Sequence, residues 1–191
     1  MLHEANLLMC EGQSLDISFE TSPTVEMAEY LEMIAGKTGA LFAASCELGA
    51  LAAGAEPARA RAYSSLGRAY GLAFQIRDDV LGTWGSSDVT GKPSGADIAR
   101  RKWSFPVVWA LDTPPSADRE IVARAYARKA RLDADGVAAV IAALDRLGAR
   151  GAADDAHDRA LDDADRIAGL ASIDVNRSIR DFLAQGARRV A

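Results

Sequence analysis

Apolar positions along the chain recur at spacings of three and four, and strand-like alternation is absent, so the pattern predicts helix throughout. A first helix over 2–19 carries Leu7, Leu8, Cys10, Leu15, Ile17 and Phe19 and runs across Gly12. Thr21-Ser22-Pro23 interrupts it, with Ser22 or Thr24 placed to cap a second helix from about Val25. Between Met27 and Ala53 small residues, among them Ala35, Gly36, Gly39, Ala43 and Ala44, recur at helical spacing. They predict one buried helix that its neighbours approach closely. A further helix over 58–81 holds Leu66, Tyr70, Phe74 and Ile76 in its apolar rows, and a polar Gly/Ser/Asp/Thr loop comes next over 82–93. Helix resumes over 94–111, with Pro106 marking a kink or break. Thr113-Pro114-Pro115 is the clearest linker, dividing residues 1–111 from 112–191. Beyond it, 117–130, 134–147, 152–168 and 175–190 read as amphipathic packing helices. The expected fold class is all-α.

Composition supports this picture. Among 191 residues there are 39 alanines, and aromatic residues are only 6%, which favours helices packed closely on one another. Lys and Arg number 22 against 27 Asp and Glu, a net charge of -5 without the basic face that a nucleic-acid binder needs. Cys10 and Cys46 stand far apart in apolar text and are expected to be buried free thiols; with only two histidines, a zinc site is not expected. Met1-Leu2-His3-Glu4 lacks the cationic start of a secretory leader, and the apolar-leaning stretch 39–55 falls short of the roughly 20 residues of a membrane span. A cytoplasmic location is the corresponding expectation.

The chemistry concentrates between residues 10 and 106. Phe74-Gln75-Ile76-Arg77-Asp78-Asp79-Val80-Leu81-Gly82 sets two adjacent carboxylates in apolar text, where two negative charges repel and lose hydration. Helical spacing puts Gln75, Asp78, Asp79 and Gly82 on one face, and a hard divalent cation would relieve the repulsion. Asp154-Asp155 and Asp162-Asp163 lack such apolar flanks and read as solvated faces. Downstream stand Lys92, Asp97 and Arg100-Arg101-Lys102; carboxylates with Mg²⁺ and nearby lysines are ordinary equipment for holding a diphosphate. Upstream, Gln13 and Asp16 share a helix face, and Lys37-Thr38 places a cation between Gly36 and Gly39. Taken singly, Lys37 could snorkel to solvent and Gln13 with Asp16 could be a wet face. Four polar clusters on consecutive helices favour a site.

These segments resemble the trans-isoprenyl diphosphate synthase (polyprenyl synthetase) family, in its C-terminal half. The resemblance rests on EGQSLDISFE at 11–20, MIAGKTGALF at 33–42, GLAFQIRDDVLGTWG at 71–85 and TGKPSGADIARRKWSFPV at 90–107, in matching order and spacing over residues 5–111. It implies the C-terminal half of the isoprenoid synthase helical bundle, enclosing a cavity in which Mg²⁺ bridges an allylic diphosphate to two Asp-rich motifs. Loss of diphosphate gives an allylic cation that the alkene of isopentenyl diphosphate attacks. Carried over, Asp78 and Asp79 would bind metal, while Lys37, Lys92 and Lys102 would clamp the allylic diphosphate. Gln75 and Asp97 would support the aspartates and lysines. Thr38 and Gln13 would line the cavity near the cation, with Asp16 a supporting acceptor and Phe74 on the substrate side.

Two departures matter. The family's second motif usually reads DDxxD, and here Gly82 stands in the third place, where it can ligate nothing. The first Asp-rich motif and the basic residues that hold isopentenyl diphosphate lie upstream of the GQ motif in the family, and only Met1 to Cys10 precede Glu11 here. The expectation is therefore a subunit or fragment that needs a partner chain carrying the first motif, with a homo-oligomer also open. The alternatives are a non-catalytic regulatory subunit of a complete synthase, or part of a class I terpene cyclase.

Overall fold

The computed structural model describes residues 1–86, 91, 94–127 and 131–173. Lys92 and the helix expected over 175–190 lie outside them. Among the described residues nine α-helices succeed one another: α1 (Leu2–Phe19), α2 (Met27–Ile34), α3 (Ala40–Ala52), α4 (Pro57–Trp84), α5 (Ala96–Arg100), α6 (Phe105–Asp112), α7 (Ala117–Tyr126), α8 (Ala134–Leu147) and α9 (Ala149–Leu170). Among the described residues there is no strand.

The boundaries obey local chemistry, and several depart from expectation. α2 begins at neither Ser22 nor Thr24; the Glu26 N–H donates to the Glu29 carboxylate at 2.8 Å, closing the first turn. Ser22 instead turns its hydroxyl back to the Ser18 carbonyl. The single helix expected over 27–53 is divided by a π-helical turn, Ala35–Gly39. Such a turn takes in an extra residue and rotates the helix beyond it. Consecutive residues Lys37 and Thr38 thereby bond to different neighbours, α1 and α4 respectively. α4 continues through Gly82 to Trp84, three residues further than the polar text suggested. The segment 94–111 is two helices, and Pro106 sits in the first turn of α6, where its missing N–H costs nothing. α7 and α8 carry conventional caps, Ser116 accepting from the Arg119 N–H and Asp133 from the Gly136 N–H.

α4 is the central strut, packed along α3 on one side and α9 on the other. Glycines make the close approaches. A methyl group at Gly12 of α1 would lie 2.2 Å from the Lys37 nitrogen, and one at Gly36 would lie 2.9 Å from the Leu8 carbonyl oxygen. On α4, a methyl at Gly67 would meet the Phe42 carbonyl oxygen at 2.5 Å, and one at Gly71 the Gly39 Cα at 2.9 Å. Backbones therefore touch along both seams. One core cluster joins Tyr30, Met33, Ile76, Val80, Ile98 and Phe105 to Val122, Val140 and Leu144, so α2 and α4–α8 share it. α1 is different, because only Ala5, Gly12 and Phe19 are buried on it while Leu2, Leu7, Leu8 and Ile17 are exposed. Cys10 lies on this helix and is exposed rather than buried; it and Cys46 are free thiols. No helix among the described residues is long and apolar enough to cross a membrane.

Candidate active site

The two adjacent aspartates of α4 have opposite surroundings. The Asp79 side chain is 1% exposed and the Asp78 side chain 59%. Successive residues on a helix differ by about 100° in direction, so one turns into the core beneath α2 and α6 while its neighbour faces solvent. Both oxygens of Asp79 are fully engaged. Oδ2 accepts from the Tyr30 hydroxyl at 2.7 Å and from the Phe105 N–H at 2.8 Å. Oδ1 accepts from Lys102 Nζ at 2.7 Å and from Gln75 Nε2 at 3.3 Å. Four donors on one buried carboxylate satisfy the rule that a buried charge is paired and hydrogen-bonded.

Lys102 is the counter-charge of the whole group. Its ammonium also reaches Asp97 Oδ2 at 3.3 Å and Asp78 Oδ2 at 4.0 Å. It stands on the turn between α5 and α6, where Arg101 takes a left-handed conformation (φ 56°) and the Lys102 N–H bonds back to the Asp97 carbonyl. The Tyr126 hydroxyl donates to the Lys102 carbonyl at 3.0 Å and holds the turn from α7. Asp97 itself lies over Gly82; a Cβ there would fall 2.2 Å from Asp97 Oδ2. From the other side, Thr38 Oγ1 donates to Gln75 Oε1 at 2.6 Å, leaving the amide nitrogen to face Asp79 and, at 3.4 Å, Asp78. Thr38, Gln75, Asp78, Asp79, Asp97 and Lys102 thus form one connected network. Lys37 pairs with Asp16 of α1 apart from it. Gln13 is half-buried one turn earlier on α1, and Phe74 tilts against Phe42 with ring centres 5.3 Å apart, 39% exposed.

Burial opposes the Lys102 charge, but the carboxylates of Asp79, Asp97 and Asp78 outweigh it and hold the ammonium well above the ordinary lysine range. Burial, followed by the charge of Asp79, pushes the Tyr30 phenol up, and burial with the charge of Asp97 does the same to Tyr126. All three groups keep their protons more tightly folded than unfolded. Their contribution to stability is therefore complete below the unfolded values, near pH 10, and is lost as pH climbs above them. The urea midpoint should hold level between about pH 8 and 9.5 and fall between about pH 10 and 12. A midpoint that stayed level across that upper range would contradict the buried, carboxylate-facing placement of these groups.

No group of three or more His, Cys, Asp or Glu side chains among the described residues is arranged to hold a metal ion alone. The donor set still suits Mg²⁺ in one particular manner. Mg²⁺ keeps several waters and binds through one or two carboxylates together with substrate phosphates. A single outward carboxylate, Asp78, beside a lysine fits that form of binding and not an all-protein cage.

The sequence profile described as Polyprenyl synthetase matches residues 1–144. The chain belongs to this family. Among its polyprenyl synthetase relatives, a geranylgeranyl diphosphate synthase of Mycobacterium tuberculosis is 48% identical over 115 residues, which is 60% of this chain and 33% of the relative. A crystal structure of polyprenyl synthetase from Streptomyces coelicolor A3(2) superposes with TM-score 0.83 at 34% identity, covering 100% of this chain and 57% of that one. A polyprenyl synthase from Caulobacter crescentus CB15, complexed with calcium and isoprenyl diphosphate, superposes with TM-score 0.82 at 30% identity, covering 99% of this chain and 56% of that one. The chain thus spans little more than half the length of these solved synthetases.

Two participants escape a reading by motif. Tyr30 is an aromatic residue in an apolar helix and reads as core, and its hydroxyl gains meaning only when Asp79 is seen 2.7 Å away. The Phe105 N–H carries no side-chain signal, although Pro106 behind it marks a helix start with a free donor.

Proposed function

We propose that the chain forms the diphosphate-holding wall of a prenyltransferase that joins an allylic diphosphate to isopentenyl diphosphate, with the first Asp-rich motif supplied from outside residues 1–191. The observation that carries this is Asp78, an outward carboxylate flanked at 4.0 Å by Lys102 and at 3.4 Å by Gln75. The bound isoprenyl diphosphate and divalent cation of the Caulobacter synthase are consistent with it. Support for a missing wall comes from α1, which leaves Leu2, Leu7, Leu8 and Ile17 exposed, more large apolar side chains than any other helix among the described residues.

Asp78 would hold Mg²⁺, and the chemistry that ion would supply when bound is neutralisation of the diphosphate charge. The chain's own groups would do the rest. Lys102, held by Asp79 and Asp97, keeps a permanent cation where the diphosphate charge collects. Gln75 orients Thr38, whose hydroxyl oxygen offers a lone pair toward a developing carbocation. Phe74 and Phe42 give the isoprenoid chain an apolar surface. Lys37, Lys92, Gln13 and Asp16 retain the roles that the resemblance implies.

Purified alone, the chain should show negligible prenyl transfer. A chain carrying the first Asp-rich motif should restore Mg²⁺-dependent transfer, and Asp78→Ala should then lower it at least about a hundredfold, the upper range for losing a group that positions a metal. Turnover without a partner would overturn the incomplete-site reading, and activity surviving Asp78→Ala would remove Asp78 from metal binding.

A further inference from the structure

Tyr30 stands outside every motif that carries the resemblance to prenyl synthases, yet it touches a buried carboxylate that accepts four hydrogen bonds. It lies on α2, 0% exposed, with its ring edge-on to Phe105 at a centroid distance of 6.0 Å. Its hydroxyl donates to Asp79 Oδ2 at 2.7 Å. A carboxylate turns about a broad, soft torsion, so its own backbone does not fix which way its oxygens point. Tyr30 and the Phe105 N–H, both on Oδ2, leave Oδ1 turned toward Lys102 and Gln75. Those two side chains are in turn the neighbours of the exposed Asp78 carboxylate.

We propose that Tyr30 is a positioning residue for the diphosphate site, setting through Asp79 where the Lys102 ammonium and the Gln75 amide stand beside Asp78. The proposal rests on reading that site as one that holds a Mg²⁺–diphosphate. Tyr30→Phe deletes a single oxygen and keeps the ring in the core. Asp79 then retains one donor on Oδ2 and can rotate, and Lys102 and Gln75 move with it. The geometry offered to a diphosphate loosens although no group that touches it has been altered.

Calorimetric titration of the full chain with inorganic diphosphate in the presence of Mg²⁺ tests this, with Val140→Ala, a buried truncation on α8 outside the network, as the stability control. Tyr30→Phe is expected to raise the diphosphate Kd roughly tenfold, the scale seen when an outer partner of a metal site is lost. Val140→Ala is expected to lower Tm by a similar or larger amount and leave Kd within about twofold, as a distant truncation should. An unchanged Kd in Tyr30→Phe, or failure of that variant to fold, would make Tyr30 a core residue only and overturn the proposal. Absence of any Mg²⁺-dependent diphosphate binding by the unaltered chain would overturn the reading of the site, and this proposal with it.

Discussion

Asp79→Ala is expected to lower the unfolding free energy by about 3–5 kcal/mol, the range for breaking a buried charged pair. Asp78→Ala, one residue away, should change it by less than about 0.5 kcal/mol, as an exposed substitution does. Asp79 is a common acceptor for a buried phenol, a backbone N–H and a lysine. Removing it strands the Tyr30 hydroxyl and the Phe105 N–H, at about 1–3 kcal/mol for each unsatisfied group. Lys102 keeps Asp97 at 3.3 Å, which limits the loss on its side. Urea denaturation of the two variants, together with Mg²⁺-dependent diphosphate binding, checks the contrast. Asp79→Ala should lose stability and binding together, and Asp78→Ala should lose binding alone. Equal stability losses would mean that the two carboxylates are not divided between core and solvent.

Rebuilding the family's more usual third aspartate should damage the site. Gly82→Asp is expected to weaken Mg²⁺-dependent diphosphate binding roughly tenfold and to cost about 1–3 kcal/mol through overpacking. A Cβ at position 82 falls 2.2 Å from Asp97 Oδ2 and 2.6 Å from Asp97 Cγ, so the Asp97 side chain must leave. Its departure takes one of the carboxylates from Lys102, and the incoming aspartate sets a like charge beside the displaced one. Gly82→Ala isolates the steric part and should fall between. Combining Gly82→Asp with Asp97→Ala should recover some of the binding, because the new carboxylate then has room and no rival. Tighter binding by Gly82→Asp alone would show that the third position stands open and that Asp97 is not tied to Gly82.

Much of this was legible in the residues. The helix over 2–19 and the one over 134–147 have the expected boundaries, because Thr21-Ser22-Pro23 breaks the first and Asp133 and Gly148 cap the second. Gln75, Asp78, Asp79, Asp97 and Lys102, singled out by their place in the motifs, lie in one hydrogen-bonded and ion-paired network, although Asp78 and Asp79 do not share a face. The features that stayed hidden depend on contacts between elements remote in sequence. Nothing in Ala35–Gly39 distinguishes a π turn from the small-residue helix around it, since the extra residue is stabilised by neighbours that pack against it. The unlike fates of Asp78 and Asp79 are set by α2 and α6, 49 and 26 residues from Asp79. Gly82 reads as a lost ligand until Asp97 is placed over it.

The contact of backbone on backbone at Gly12, Gly36, Gly67 and Gly71 bears on how tolerance to substitution in this protein is to be interpreted. A side chain that clashes with another side chain can be accommodated by a second change nearby, but a carbonyl or an amide nitrogen has no smaller substitute. In a saturation mutagenesis survey these glycines should therefore be as intolerant as Asp79, and no compensating partner should emerge for them. Intolerance at such positions would report the spacing of helix axes and not participation in chemistry. Exposed Asp78, which tolerates change in every assay except one that needs the diphosphate, would be the informative position.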